Sequence, residues 1–70
     1  MSAAKKIRIL LIERDITLTE LSKRLKKSLS TMSDKMRRDN FSEKDLKQIA
    51  EVLNYDYEIV FTDKETGKTV

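Results

Sequence analysis

The sequence predicts one mainly α-helical domain: four helices, then a small C-terminal β-hairpin. Three observations lead there. Apolar residues recur at i, i+3, i+4, i+7, as in Leu46, Ile49, Ala50 and Leu53, the signature of a helix with one buried face. Each such stretch is preceded by Ser or Thr, residues whose hydroxyl accepts a bond from a free N–H of the first turn. From Tyr55 the apolar period changes from 3.6 to 2, as a strand requires. The boundaries are residues 1–54 for the helical part and 55–70 for the hairpin, within a single domain at 1–70.

The first helix is predicted over residues 2–14. Ile7, Leu10 and Leu11 form its inward stripe, Ile9 and Ile12 are expected to widen it, and Ser2 is placed to cap it. Asp15-Ile16 is the connector. Thr17 opens the second helix, and Glu20 stands at capping-box spacing from it. Leu18, Leu21 and Leu25 make the inward face of this helix. Ser22 is small where a neighbouring helix must come close, and Lys23 and Arg24 face out. Lys26-Lys27 is the turn, and Ser28 the cap of a third helix over residues 29–38. Met32 and Met36, four apart, point inward as core. Asp39-Asn40 breaks the chain. Ser42 with Asp45 caps the fourth helix, Phe41 and Leu46 suit a hydrophobic staple across that cap, and Asn54 can take the left-handed conformation that ends it. Tyr57, Ile59 and Phe61 alternate with Glu58, Val60 and Thr62 in the strand. Gly67, the only glycine of the chain, is expected at positive φ in the hairpin loop, before a return strand at 68–70.

Composition narrows the function classes. Seventy residues bury only about 60% of the unfolded surface, so a partner subunit is an expected source of stability. The chain has neither Cys nor His, which removes disulfides, thiolate metal sites and the commonest general base. Ser and Thr stand at helix starts, where capping accounts for them, and no phosphate-cradling glycine loop occurs. No enzyme activity, cofactor, metal or small-molecule ligand is expected. No apolar run approaches the ~20 residues of a membrane span, and the opening stretch is too short and charge-interrupted for a signal segment; a cytoplasmic protein without membrane contact is the expectation.

The net charge is only +3, but seven cations fall within residues 23–38 against one acid, Asp34. Two short helices joined by about three residues share a core and leave the N-terminus of the second projecting, a shape that fits a major groove about 12 Å wide. Charge and placement make Lys26, Lys27, Ser28, Lys35 and Arg38 the phosphate candidates.

Residues 17–38 also resemble a known family. Thr17-Leu18-Thr19-Glu20-Leu21, Leu21-Ser22-Lys23-Arg24-Leu25 and, after a three-residue turn, Ser28-Leu29-Ser30-Thr31-Met32 are similar to the Cro/CI-type (XRE, lambda-repressor-like) helix-turn-helix. Residues 41–46 and 49–53 resemble the helix that follows it. The resemblance covers residues 5–54. It implies a dimeric, sequence-specific repressor that reads a palindromic operator in double-stranded DNA with the helix at 29–38. Carried over by position, Leu29, Ser30, Thr31 and Asp34 would read base edges, and Thr17 and Leu18 would lie beside the DNA backbone. Three positions depart from the family pattern: Lys26 replaces the usual glycine, Lys27 the usual aliphatic plug, and Leu29 the common polar reader. A protein-interaction module on the same fold, an antitoxin-like or inhibitor-like partner, is the alternative these departures leave open.

Two strands alone are marginal in water. The hairpin therefore either covers the core or pairs its edge with another chain. Cro-like proteins pair across a two-fold axis through a C-terminal strand, so the resemblance implies a homodimer with Tyr57, Ile59, Val60 and Phe61 at the seam.

Overall fold

The computed structural model describes residues 2–70 and contains four helices: α1 (Ala3–Arg14), α2 (Leu18–Arg24), α3 (Leu29–Arg38) and α4 (Glu43–Val52). All four begin the same way. The hydroxyls of Ser2, Thr17, Ser28 and Ser42 accept from the N–H of Lys5, Glu20, Thr31 and Asp45, three residues on. Only at α4 does the reciprocal bond complete a capping box, where Asp45 Oδ2 accepts from Ser42 N at 3.0 Å. At α2 the expected box is half made, because the Glu20 carboxylate turns instead to Arg24 Nε at 3.2 Å, one turn along.

All four helices also end alike. Asp15, Lys26, Asp39 and Asn54 stand at φ between 53° and 63°. Each end carries the paired reversed bonds of a Schellman motif, such as Lys27 N to Ser22 O and Lys26 N to Lys23 O after α2. None of the four is glycine, so each reversal carries steric strain that the tertiary structure supports.

The core is built from Ala4, Ile7 and Leu11 of α1, Leu21 of α2, Met32 and Met36 of α3, and Ile49 with Leu53 at α4. Leu21, Met32 and Ile49 are wholly enclosed. Buried Ser22 turns its hydroxyl back to Leu18 O at 2.8 Å, which satisfies it without a partner on another helix. α2 packs against both α3 and α4, and α1 against α3. One side chain closes the bundle at a distance in sequence: Asp39 Oδ1, just past α3, accepts from Ala4 N in the first turn of α1 at 2.8 Å.

Two expectations are corrected. Ile9 and Ile12 do not widen the inward stripe; they are 54% and 78% exposed. With about 100° per residue, Ala4, Ile7 and Leu11 point one way, Ile9 falls opposite and Ile12 far to the side. The second correction concerns the hairpin. No strand forms over residues 55–61, and the return segment contributes only an isolated bridge between Thr62 and Thr69. Phe61 and Val70 exchange backbone bonds at 3.1 and 2.9 Å, and Gly67 closes the loop at φ 75°. The loop is thus built as predicted while the strands are not. The root of the segment is held against α1 and α4 through Tyr55, but Ile59, Val60, Phe61 and Val70 all remain exposed, with no surface to pack on, and two strands alone are marginal in water.

The start of this tail is nevertheless fixed. Arg14 lies over the Tyr55 ring with its guanidinium carbon 4.0 Å from the centroid, and its Nε donates to Leu53 O at 2.8 Å. The Tyr55 hydroxyl donates to Glu13 Oε2 at 2.7 Å. Among the described residues, no helix is long and apolar enough to cross a membrane.

Candidate nucleic-acid interface

The α2–turn–α3 unit sets the geometry of the site. Met32 and Met36 anchor one side of α3 in the core. The helical period then carries Ser30, Asp34, Arg37 and Arg38 to the outward side. Ser28, Leu29, Ser30, Thr31 and Ser33 are all exposed, Leu29 at 44%. The hydroxyls at the head of α3 converge: Ser28 Oγ lies 2.7 Å from Thr31 Oγ1 and 3.3 Å from Ser30 Oγ. Such a cluster offers both donors and acceptors at the end of the helix where unpaired N–H groups favour negative charge.

Three of the sequence-derived base readers, Leu29, Ser30 and Thr31, are therefore on the exposed head of α3, whereas Asp34 stands mid-helix and is not free. Its carboxylate accepts from both Arg37 and Arg38, the latter through Nε at 3.1 Å. These bonds, with the charges of the two guanidinium groups, hold the Asp34 carboxyl below its ordinary value. What this side of α3 presents is an arginine pair oriented by an acid.

The backbone candidates divide into three groups. Thr17 is exposed at the head of α2, whereas Leu18 is half-buried against the core and shows only its rim. Lys26 stands on the turn, exposed, at φ 58°. Lys27 and Lys35 do not point into solvent. Their ammonium groups both rest on Asp45 of α4, Lys27 Nζ 3.2 Å from Oδ1 and Lys35 Nζ 2.7 Å from Oδ2.

Folding thus rearranges the charge that the sequence shows. Of the seven cations in 23–38, Arg24 pairs with Glu20, Lys27 and Lys35 with Asp45, and Arg37 and Arg38 with Asp34. Among the described residues, Lys23 and Lys26 have no carboxylate partner.

Sequence reasoning missed Asp45 as the partner of two phosphate candidates. A signal was present: a lysine held against the core needs an acid within reach, and Asp45 stands in the first turn of α4 as the residue that completes its capping box. Lys23 and Arg37, exposed cations of α2 and α3, were not among the candidates. The dimer candidates Ile59, Val60 and Phe61 lie on the exposed tail, and Tyr57 is half-buried nearer its root. Comparison with protein-family models, with curated proteins and with solved structures finds no match for this chain.

Proposed function

We propose that this chain is a DNA-binding regulator of the Cro-like, lambda-repressor-like kind. In this reading it acts in the cytoplasm as a homodimeric repressor. α3 enters the major groove of a palindromic operator and α2 abuts the backbone. The observation that carries the reading is the head of α3, where exposed Ser28, Leu29, Ser30 and Thr31 follow a turn that carries the exposed Lys26, which has no carboxylate partner among the described residues. Hydroxyls and a helix N-terminus suit phosphate oxygens and base edges. The Leu29 side chain suits a thymine methyl, and Arg37 and Arg38, steadied by Asp34, suit phosphate or guanine.

The test is selection of bound duplexes from a random pool, followed by a salt titration of the best sequence. The expected result is an enriched two-fold motif whose half-sites lie about 34 Å apart, one helical turn. Affinity should fall with salt at a log–log slope near −5 to −7, for about six to eight phosphates per dimer. A pool that stays random, or a slope near zero, rejects the reading.

The competing reading is a protein-interaction module on the same helices. The observation on its side is that five of the seven cations are paired with carboxylates, those of Glu20, Asp34 and Asp45. It predicts a flat salt dependence on DNA, so the same titration separates the two.

A further inference from the structure

One side chain ties α4 to both the turn before α3 and the middle of α3. Asp45 holds Lys27 and Lys35 on its two oxygens and takes a third bond from Ser42 N. Its side chain is 11% exposed, and those of Lys27 and Lys35 are 30% and 27% exposed. An ammonium group held this way must leave a partner in a poorly solvated place before it can reach a phosphate. The Asp34 cluster differs. The Asp34 side chain is 45% exposed and those of Arg37 and Arg38 are 73% and 66% exposed; exposed ion pairs are worth only about 0–1 kcal/mol, so these arginines exchange partners readily. The cations around α3 therefore fall into a withheld class and an available class.

We propose that Asp45 withholds Lys27 and Lys35 from polyanions, acting as a positioning residue that lowers sequence-independent affinity. Phosphate contact then falls to Lys23, Lys26, Arg37 and Arg38. The biological sense of this rests on the DNA-binding reading; the withholding itself does not. A site that spends two cations on its own scaffold gives up counterion release, which is the same for every sequence. It keeps the groups that face the groove, and the ratio of specific to nonspecific affinity rises. The arrangement also accounts for a lysine at a position where a core plug would be expected. The Lys27 stem covers apolar surface beside Leu25 and Ile49, and its charged end is answered by Asp45.

The experiment is elution of the full chain from immobilised heparin, a polyanion without base sequence, with salt-dependent binding to a random duplex alongside. Asp45→Asn should elute at higher salt than Glu51→Gln, which removes the same charge from an exposed position on α4. On the duplex, Asp45→Asn should steepen the slope by about 2 per bound chain, one step of about 0.9 for each released lysine. Lys27→Met and Lys35→Met should elute with the wild type, whereas Lys26→Met should elute earlier. Should Asp45→Asn fail to fold, the methionine variants decide alone. If Lys27→Met or Lys35→Met elutes as early as Lys26→Met, or if Asp45→Asn matches Glu51→Gln, the proposal is overturned. A heparin pattern as expected, with no motif in the random-pool selection, upholds Asp45's role and rejects the DNA-binding reading.

Discussion

Asp45 is buried, yet it keeps its charge. Lys35, the strongest influence on it, donates to one oxygen; Ser42 N–H and Lys27 add further bonds, and together they outweigh the burial that opposes ionisation. Its carboxyl is consequently held far below the ordinary carboxylate range. The folded chain therefore gives up this proton at lower pH than the unfolded chain, whose value is about 3.9. The stabilisation is fully present above that value and is lost as pH falls below it, because there the unfolded state binds more protons. Asp34 shifts the same way but is exposed, so solvent screens its share. Urea midpoints measured from pH 5 down to pH 2 should fall steeply for the wild type and much less steeply for Asp45→Asn. Parallel acid limbs for the two proteins would show that Asp45 does not govern this range.

At the scale of elements, the uniform helix ends carry the next expectation. Lys26 ends α2 at φ 58° with a side chain, and its N–H and that of Lys27 close the last turn. Glycine adopts this conformation without the clash between Cβ and carbonyl, a gain of about 1 kcal/mol offset in part by its greater freedom when unfolded. Lys26→Gly should thus raise the melting temperature by a few degrees, given about 4–8 °C per kcal/mol at this size. It should weaken binding to DNA in the same protein, since an available cation is lost. A lower melting temperature would mean that the lysine stem packs better than its backbone strains. The same position shows what the sequence disclosed. Helix starts were legible because a hydroxyl cap is a local device: Ser2, Thr17, Ser28 and Ser42 each bond within their own first turn. The places where helices end were legible too, at Asp15-Ile16, Lys26-Lys27, Asp39-Asn40 and Asn54, but the positive φ at Asp15 and Asp39 was not, since these residues do not advertise it as glycine does. Ile9 and Ile12 misled because five apolar residues in one short helix leave the choice of face to the packing. Lys27 and Lys35 look like phosphate contacts in the sequence because their acid, Asp45, is brought to them only by the tertiary fold. Of the candidate site, the position of α3 and its exposed head were legible, and the pairing of its charges was not.

The whole molecule is longer than its helical body requires. Its radius of gyration is 13.7 Å, against about 11 Å for a compact chain of this length, and its extents are 43 × 24 × 19 Å. The excess matches a tail that leaves the body after the Arg14–Tyr55–Glu13 clamp and carries Ile59, Val60 and Phe61 largely exposed. A tail covering its own core would bury these residues, so the monomer gains little stability from them. An open segment of alternating apolar residues gains a ladder of backbone bonds when it pairs with its own copy across a two-fold axis, and both sides bury the same side chains. If the tail is the seam of the proposed dimer, the double variant Ile59→Asp with Phe61→Asp should sediment as a smaller species than the wild type at the same concentration. Its helical circular dichroism should be unchanged, since neither side chain touches the core. On the proposed DNA-binding reading, operator affinity should also fall by orders of magnitude, because one recognition helix would replace two that bind as a linked pair. A variant that sediments like the wild type would place the seam elsewhere. One that loses its helices would show that the tail stabilises the body after all.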